Sequence, residues 1–229
     1  MKTLGLIGGT SWVSTLDYYR IINQQTNERL GGLNSAKIFL YSLNFEEFKP
    51  PADPNQWGPI ADALSSIAQR LEKAGADCIV ICANTPHLVA DVIQGNIHIP
   101  LIHIAEVTAK EIKKQGIQTV GLLGTKFTME QNFFKDRLSR QLIKPLIPEA
   151  DEREFIHYSI FNELGKGIFS PETKAKYISI IDKLIEQGAE GIIFGCTEMP
   201  MLIKPEDCSV PVFDTTLIHA KAAVEFALR

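Results

Sequence analysis

The chain has 229 residues, of which 45% are hydrophobic and 22% charged, with a formal net charge of −4. That length suffices for one large α/β domain or two lobes of about 100 residues each. The acidic balance argues against a chain built to coat nucleic acid, which needs a concentrated basic face, and no run approaches the roughly 18–20 apolar residues of a membrane span. The opening MKTLGLIGGTSW reaches a glycine turn too early for a secretory signal. A cytoplasmic location is therefore expected, with Cys78, Cys82, Cys196 and Cys208 kept reduced. Cys78 and Cys82 have no second pair or clustered histidines near them, so no metal site is expected.

In chain order, residues 4–7 read as a short buried strand and Gly8-Gly9-Thr10-Ser11 as a tight turn. A helical pattern follows through Tyr18, Tyr19, Ile21 and Ile22, and residues 36–43 read as a second strand. Pro50, Pro51, Pro54 and Gly58 mark a loop. Residues 60–74 are helix-periodic and stop at Gly75. Residues 77–82 form a continuous apolar run, as expected for a strand buried on both faces. Alternation of this kind predicts an α/β fold with parallel sheets.

The second half repeats the plan. Gly75-Ala76-Asp77 followed by CIVICANTP matches Gly188-Ala189-Glu190 followed by GIIFGCTEMP at an offset of 113 residues. That offset sets Ile79 on Ile192, Val80 on Ile193, Ala83 on Cys196 and Asn84 on Thr197. Two nearby offsets join residues 4–8 with 120–124, and residues 99–102 with 210–213. Two pseudo-twofold-related, Rossmann-like lobes are predicted. The first spans residues 1–112 with a C-terminal helix at 216–229, and the second spans 113–215. Parallel sheets bind ligands at the carboxyl ends of their strands, so the active site is expected in a cleft between the lobes. The loops ANTPH (83–87) and CTEMP (196–200) would line it, with GGTS (8–11) and GTKFT (124–128) beside them.

Cys196 follows a buried strand directly and is expected near a helix N-terminus, where free N–H groups and the helix dipole favour the thiolate. The hydroxyl of Thr197 can donate to a bound carboxylate. Glu198 either caps the helix or orients the thiol. Asn84 and Thr85 either bind a carboxylate or satisfy turn backbone. Cys78 reads as core. Cys82 reads as core too, yet it is the thiol nearest the first loop. His87 is read as a proton relay or a packing residue. His103 and Asp214 share strand-end positions, where either would orient a catalytic group, while His98, His157 and His219 read as structural or exposed. Lys166, in the polar stretch NELGKGIF, is a candidate cation for an acidic ligand. The GGTS turn lacks the G-x-G-x-x-G dinucleotide fingerprint, which argues against a nucleotide-dependent oxidoreductase.

GLIGGTS at the start, NTPH in the first half and GCTE in the second resemble the aspartate/glutamate racemase superfamily, over essentially the whole chain. Members are PLP-independent racemases, with hydantoin racemases, maleate isomerases and arylmalonate decarboxylases as relatives. The resemblance implies a homodimer of two-lobed subunits and two cysteines on opposite faces of the substrate Cα, one removing the proton and the other returning it. Inversion needs an acid and a base on opposite faces because the α-proton is very weakly acidic. Placed donors must hold the developing charge. The family pattern C-N-T-x-H carries Ala83 in its cysteine position here, whereas G-C-T-E is intact as Gly195-Cys196-Thr197-Glu198.

The sequence therefore predicts a cofactor-free racemase of a small acidic amino acid, aspartate or glutamate, with Cys196 as one acid/base group. Thr85, Cys82 or an ordered water would serve the face that Ala83 leaves empty. Thr10, Ser11, Asn84, Thr85, Thr125, Lys166, Thr197 and Glu198 would contact the substrate. A single-cysteine decarboxylase or isomerase of the same superfamily, or an amino-acid-binding protein without turnover, are the alternatives. No metal, nucleic-acid or membrane partner is expected.

Overall fold

The apolar run at the start of the chain forms β1 (Thr3–Gly8), whose last five residues are all buried. In the computed structural model, which describes residues 1–48, 51 and 56–229, it is followed by α1 (Trp12–Leu30), β2 (Lys37–Ser42), α2 (Gly58–Lys73), β3 (Cys78–Ile81), a 3-10 turn (Thr85–Val89) and α3 (Ala90–Gly95). After α4 (Ile104–Lys114) come β4 (Thr119–Gly124), α5 (Lys126–Glu130), α6 (Asn132–Ser139), β5 (Lys144–Leu146), α7 (Ala150–Asn162), α8 (Pro171–Glu186), β6 (Ile192–Gly195), α9 (Met199–Leu202), β7 (Val212–Asp214) and α10 (Thr215–Ala227). Pro50 and Pro54 of the expected loop lie outside the described residues.

The chain divides into two units, Met1–Ile104 with His219–Arg229, and Ala105–Ile218. Each holds one sheet with every pair parallel, ordered β2-β1-β3 in the first and β5-β4-β6-β7 in the second. The place that β7 takes in the second sheet is reduced in the first to a single bridge, Ile79 to Leu101.

The sequence repeat has a structural cause. Gly75 and Gly188 end the helices before β3 and β6 with φ of 99° and 100°, a region that favours glycine. The acidic residue two positions on then clamps the start of the neighbouring strand. Asp77 Oδ2 accepts from Thr3 N at 2.6 Å, and Glu190 Oε2 accepts from Gln118 N at 2.7 Å and Thr119 N at 2.9 Å. The registers agree as well: Gly5 faces Ile79 and Leu6 faces Val80 in one sheet, Gly121 faces Ile192 and Leu122 faces Ile193 in the other. Each sheet carries its own core. Leu4, Leu6, Tyr18, Val80 and Val224 are fully buried in the first unit, and Leu123, Tyr177, Ile180 and Ile192 in the second.

Candidate active site

Cys196 is the first residue beyond β6, and its place is fixed by what surrounds that strand end. Gly195 has no room for a side chain, since a Cβ there would lie 2.6 Å from Leu123 O and 3.0 Å from Thr128 Cγ2. Thr215 Oγ1 donates to Phe194 O at 2.8 Å and pins the strand just before the turn. The Cys196 Sγ then donates to Glu198 Oε2 at 3.0 Å, and Thr197 Oγ1 donates to the same oxygen at 2.6 Å. Cys196 is 8% and Glu198 7% exposed, while Thr197 is half-buried.

This geometry corrects the expected thiolate. Burial, and then the negative charge of Glu198, push the Cys196 thiol well above its ordinary range. Helix α9 has only four residues and too few aligned peptide dipoles to offset that charge. The resting group is a protonated thiol. Glu198, read as a cap or an orienting group, makes no side-chain cap bond to α9 and is turned to the thiol instead.

The equivalent turn of the first unit has the same register. Cys82 N donates to Ile7 O at 2.9 Å, continuing the β1–β3 ladder by one residue, so Ala83 stands where Cys196 stands in the second sheet. Ala83 is half-buried and Asn84 buried, and Thr85 opens the 3-10 turn. The structure corrects the suggestion that Cys82 substitutes for the absent thiol. Its side chain is 1% exposed and packs in the first core, where burial alone pushes the thiol far up. Cys78 is buried in the same core.

The GGTS turn is held from within. Thr15 Oγ1 accepts from Gly9 N and donates to Ser11 O, both at 2.9 Å. Ser11 caps α1 by accepting from Ser14 N at 3.3 Å, and Ser14 Oγ donates to Cys82 O at 2.9 Å, tying α1 to the end of β3. Thr10 is half-buried. In the second unit Thr125 plays the part of Ser11, capping α5 through Thr128 N at 3.2 Å. Lys166 is exposed on the 3-10 turn between α7 and α8. Asp214 Oδ1 accepts from Thr216 N and Leu217 N and starts α10, which gives that carboxylate a structural task.

His87, His103 and His219 form a buried cluster in the first unit, with His87 4.8 Å from His103 and 5.4 Å from His219 between ring centroids. His87 Nδ1 donates to Ala83 O at 2.8 Å. His219 Nε2 donates to Ile102 O at 2.7 Å, so its Nδ1 accepts from Tyr18 OH at 2.8 Å. Burial and mutual repulsion hold His87 well below its ordinary range, and burial holds His219 at about 4. Sequence spacing carried no sign of this cluster, because its members sit 16 and 116 positions apart. A hollow of about 360 Å³ in the second unit is lined by Phe194, Pro200, Ile203, Phe213 and Leu217 among others, and of the candidate side chains by Asp214. Among the described residues, no group of three or more His, Cys, Asp or Glu is placed to hold a metal ion, and no helix is long and apolar enough to cross a membrane.

The chain matches the family model described as Asp/Glu/hydantoin racemase over residues 7–223. It is 28% identical to the broad specificity amino-acid racemase RacX of Bacillus subtilis over 170 residues, covering 71% of this chain and 70% of that one. The crystal structure of an Asp/Glu racemase candidate from Yersinia pestis superposes with a TM-score of 0.94 at 50% identity, over 100% of both chains. An aspartate racemase homologue from Pyrococcus horikoshii superposes with a TM-score of 0.86 at 37% identity, again over 100% of both.

Proposed function

Because the chain belongs to the Asp/Glu/hydantoin racemase family, we propose that it is a cofactor-independent racemase of a small acidic amino acid, aspartate or glutamate, with Cys196 exchanging the α-proton. The observation that carries this reading is the Cys196–Glu198 turn, a thiol kept in its protonated form beside a carboxylate at the end of a central strand. A thiol of that kind can return a proton to a carbanion, and its conjugate base can remove one. Thr10, Ser11, Asn84, Thr85, Thr125 and Thr197 are proposed to hold the substrate carboxylates and the developing enolate charge, with Lys166 as the cation. With alanine at position 83, the opposite face is left to Thr85 or an ordered water.

A one-thiol enzyme has a distinct signature. In D2O, proton NMR should show one enantiomer exchanging its α-proton faster than it inverts, because only one face has a competent base. Equal exchange and inversion from both enantiomers would sink the single-thiol mechanism. Racemisation undiminished in Cys196→Ser would remove Cys196 from it. The protein is further proposed to work in the cytoplasm as a homodimer. In the first unit the edge strand β2 exposes Phe39, Leu40 and Tyr41, and α1 exposes Trp12, Leu16 and Tyr19 on one face, which supports such an assembly.

A further inference from the structure

The turn after β6 sets a carboxylate against the thiol, away from the two places where a turn glutamate usually goes. A glutamate that only solvated the turn would be exposed, and Glu198 is 7% exposed. A capping glutamate would accept from backbone N–H groups of α9, and Glu198 makes no such bond. Its Oε2 receives Cys196 Sγ at 3.0 Å and Thr197 Oγ1 at 2.6 Å. Two donors on one oxygen fix that oxygen toward the sulfur. From this geometry we infer that Cys196 and Glu198 work as one acid/base unit holding a shared proton, with Glu198 a positioning residue that acts through the thiol. The inference rests on Cys196 being the acid/base group of the proposed racemisation.

The proton bookkeeping explains what such a pair supplies. At rest it is a thiol and a carboxylate, with one negative charge. Losing the thiol proton to solvent would place two anions about 3 Å apart in a buried turn, which is costly. Passing it to Glu198 instead breaks S–H, leaves the electron pair on sulfur and forms O–H, and the net charge stays the same. The thiolate then takes the substrate proton: C–H breaks, S–H forms, and the electron pair stays on Cα. At that moment the pair is a thiol and a carboxylic acid, both neutral, so no anion repels the carbanion. On return the thiol protonates Cα and recovers its own proton from Glu198. Tyr177 of α8 also senses both members. Its hydroxyl is bonded to Ser159 at 2.9 Å, and burial pushes its ionisation far up, so it stays neutral throughout.

The test compares wild type with Glu198→Gln and Glu198→Asp, using Cys196→Ser as the blank. Without substrate, the ultraviolet absorbance of the Cys196 thiolate is followed against pH. Glu198→Gln, which keeps the shape and removes the charge, should lower the midpoint by about one unit or more, while Glu198→Asp should keep it high. With aspartate or glutamate in D2O, deuterium wash-in by wild type should be level across neutral pH. Wash-in by Glu198→Gln should climb about tenfold per pH unit, because its thiolate forms only by losing a proton to solvent. Midpoints that agree within a few tenths, a midpoint that falls equally in Glu198→Asp, or wash-in profiles of the same shape would overturn the shared proton. If wild type washes in no deuterium, the racemase reading fails, and the substrate-free midpoints still decide the pair.

Discussion

At Gly195 the space for a side chain is already taken by backbone. The neighbour of an added Cβ would be Leu123 O at 2.6 Å, and a carbonyl within a sheet cannot swing aside as a side-chain tip can. Gly195→Ala is therefore expected to cost about 1–3 kcal/mol and to displace Cys196, seen as a lower urea midpoint at unchanged slope. Gly95 is the contrast. It lies in α3 without a positive φ, and beyond its chain neighbours and its own helix backbone no described atom lies within 4 Å of its would-be Cβ. Gly95→Ala should leave stability unchanged or raise it by up to about 1 kcal/mol. Ala83 gives a functional prediction at the same scale. It holds the register place of Cys196 in the first sheet and is half-buried, so Ala83→Cys should supply the second face with a thiol. Wash-in and inversion measured from the two enantiomers should then approach each other. An unchanged imbalance would show that the first turn does not serve the opposite face.

The turns and caps that hold the first unit also bring three buried histidines together. Protonation of His87 or His219 would put a charge into a buried cluster, and both are held below the unfolded value near 6.5, His87 by burial and its histidine neighbours and His219 by burial. Above pH 6.5 neither state binds a proton at these sites and they add no pH dependence. Below it the unfolded chain binds protons that the native chain refuses, down to about 4 for His219, so stability falls with falling pH by at most roughly 1.4 kcal/mol per unit for each histidine. Denaturant midpoints at pH 7 and pH 5 should differ, and His219→Gln should shrink the difference; an equal drop in the variant would place the effect elsewhere. The cluster also marks where sequence reading stopped. Strands β1, β2 and β3 and helix α2 were legible to within a few residues, because apolar runs and glycine stops are local signals, while α1 was legible as a helix without its ends. The meeting of residues 87, 103 and 219 is set by tertiary packing alone. The thiol of Cys196 failed differently: its strand-end place was legible, but its charge state depends on the shortness of a four-residue helix, which no motif reveals, and on a carboxylate turned inward, which the sequence offered only as one of two places for Glu198.

For the whole chain, duplication was the strongest signal, and the structure ties it to two glycine stops and two acidic clamps, Asp77 and Glu190. The sequence did not show where the fold stays unfinished. KIFLYS is apolar enough for a strand covered on both sides, yet β2 is the edge of its sheet, paired among the described residues with β1 alone, and five of its six residues are exposed. Beside it, Asn23 Oδ1 accepts from Ala36 N at 3.0 Å. The exposed stripe of α1 that carries Trp12, Leu16 and Tyr19 runs on to Asn23, the residue that reaches the start of β2. Apolar patches of this kind mark interfaces, and an open strand edge invites another strand. Two copies pairing β2 antiparallel make an isologous, closed contact, which a soluble oligomer needs to avoid endless growth. Leu40→Arg separates assembly from folding. In the monomer Leu40 is 44% exposed, so the charge should change stability by no more than about 0.5 kcal/mol; across a paired edge it would be buried without a partner. Light scattering should therefore give a dimer mass for wild type and a monomer mass for Leu40→Arg at the same concentration. Thermal unfolding should depend on protein concentration only in wild type. A monomeric wild type, or a variant that dimerises equally well, would exclude this edge as the interface.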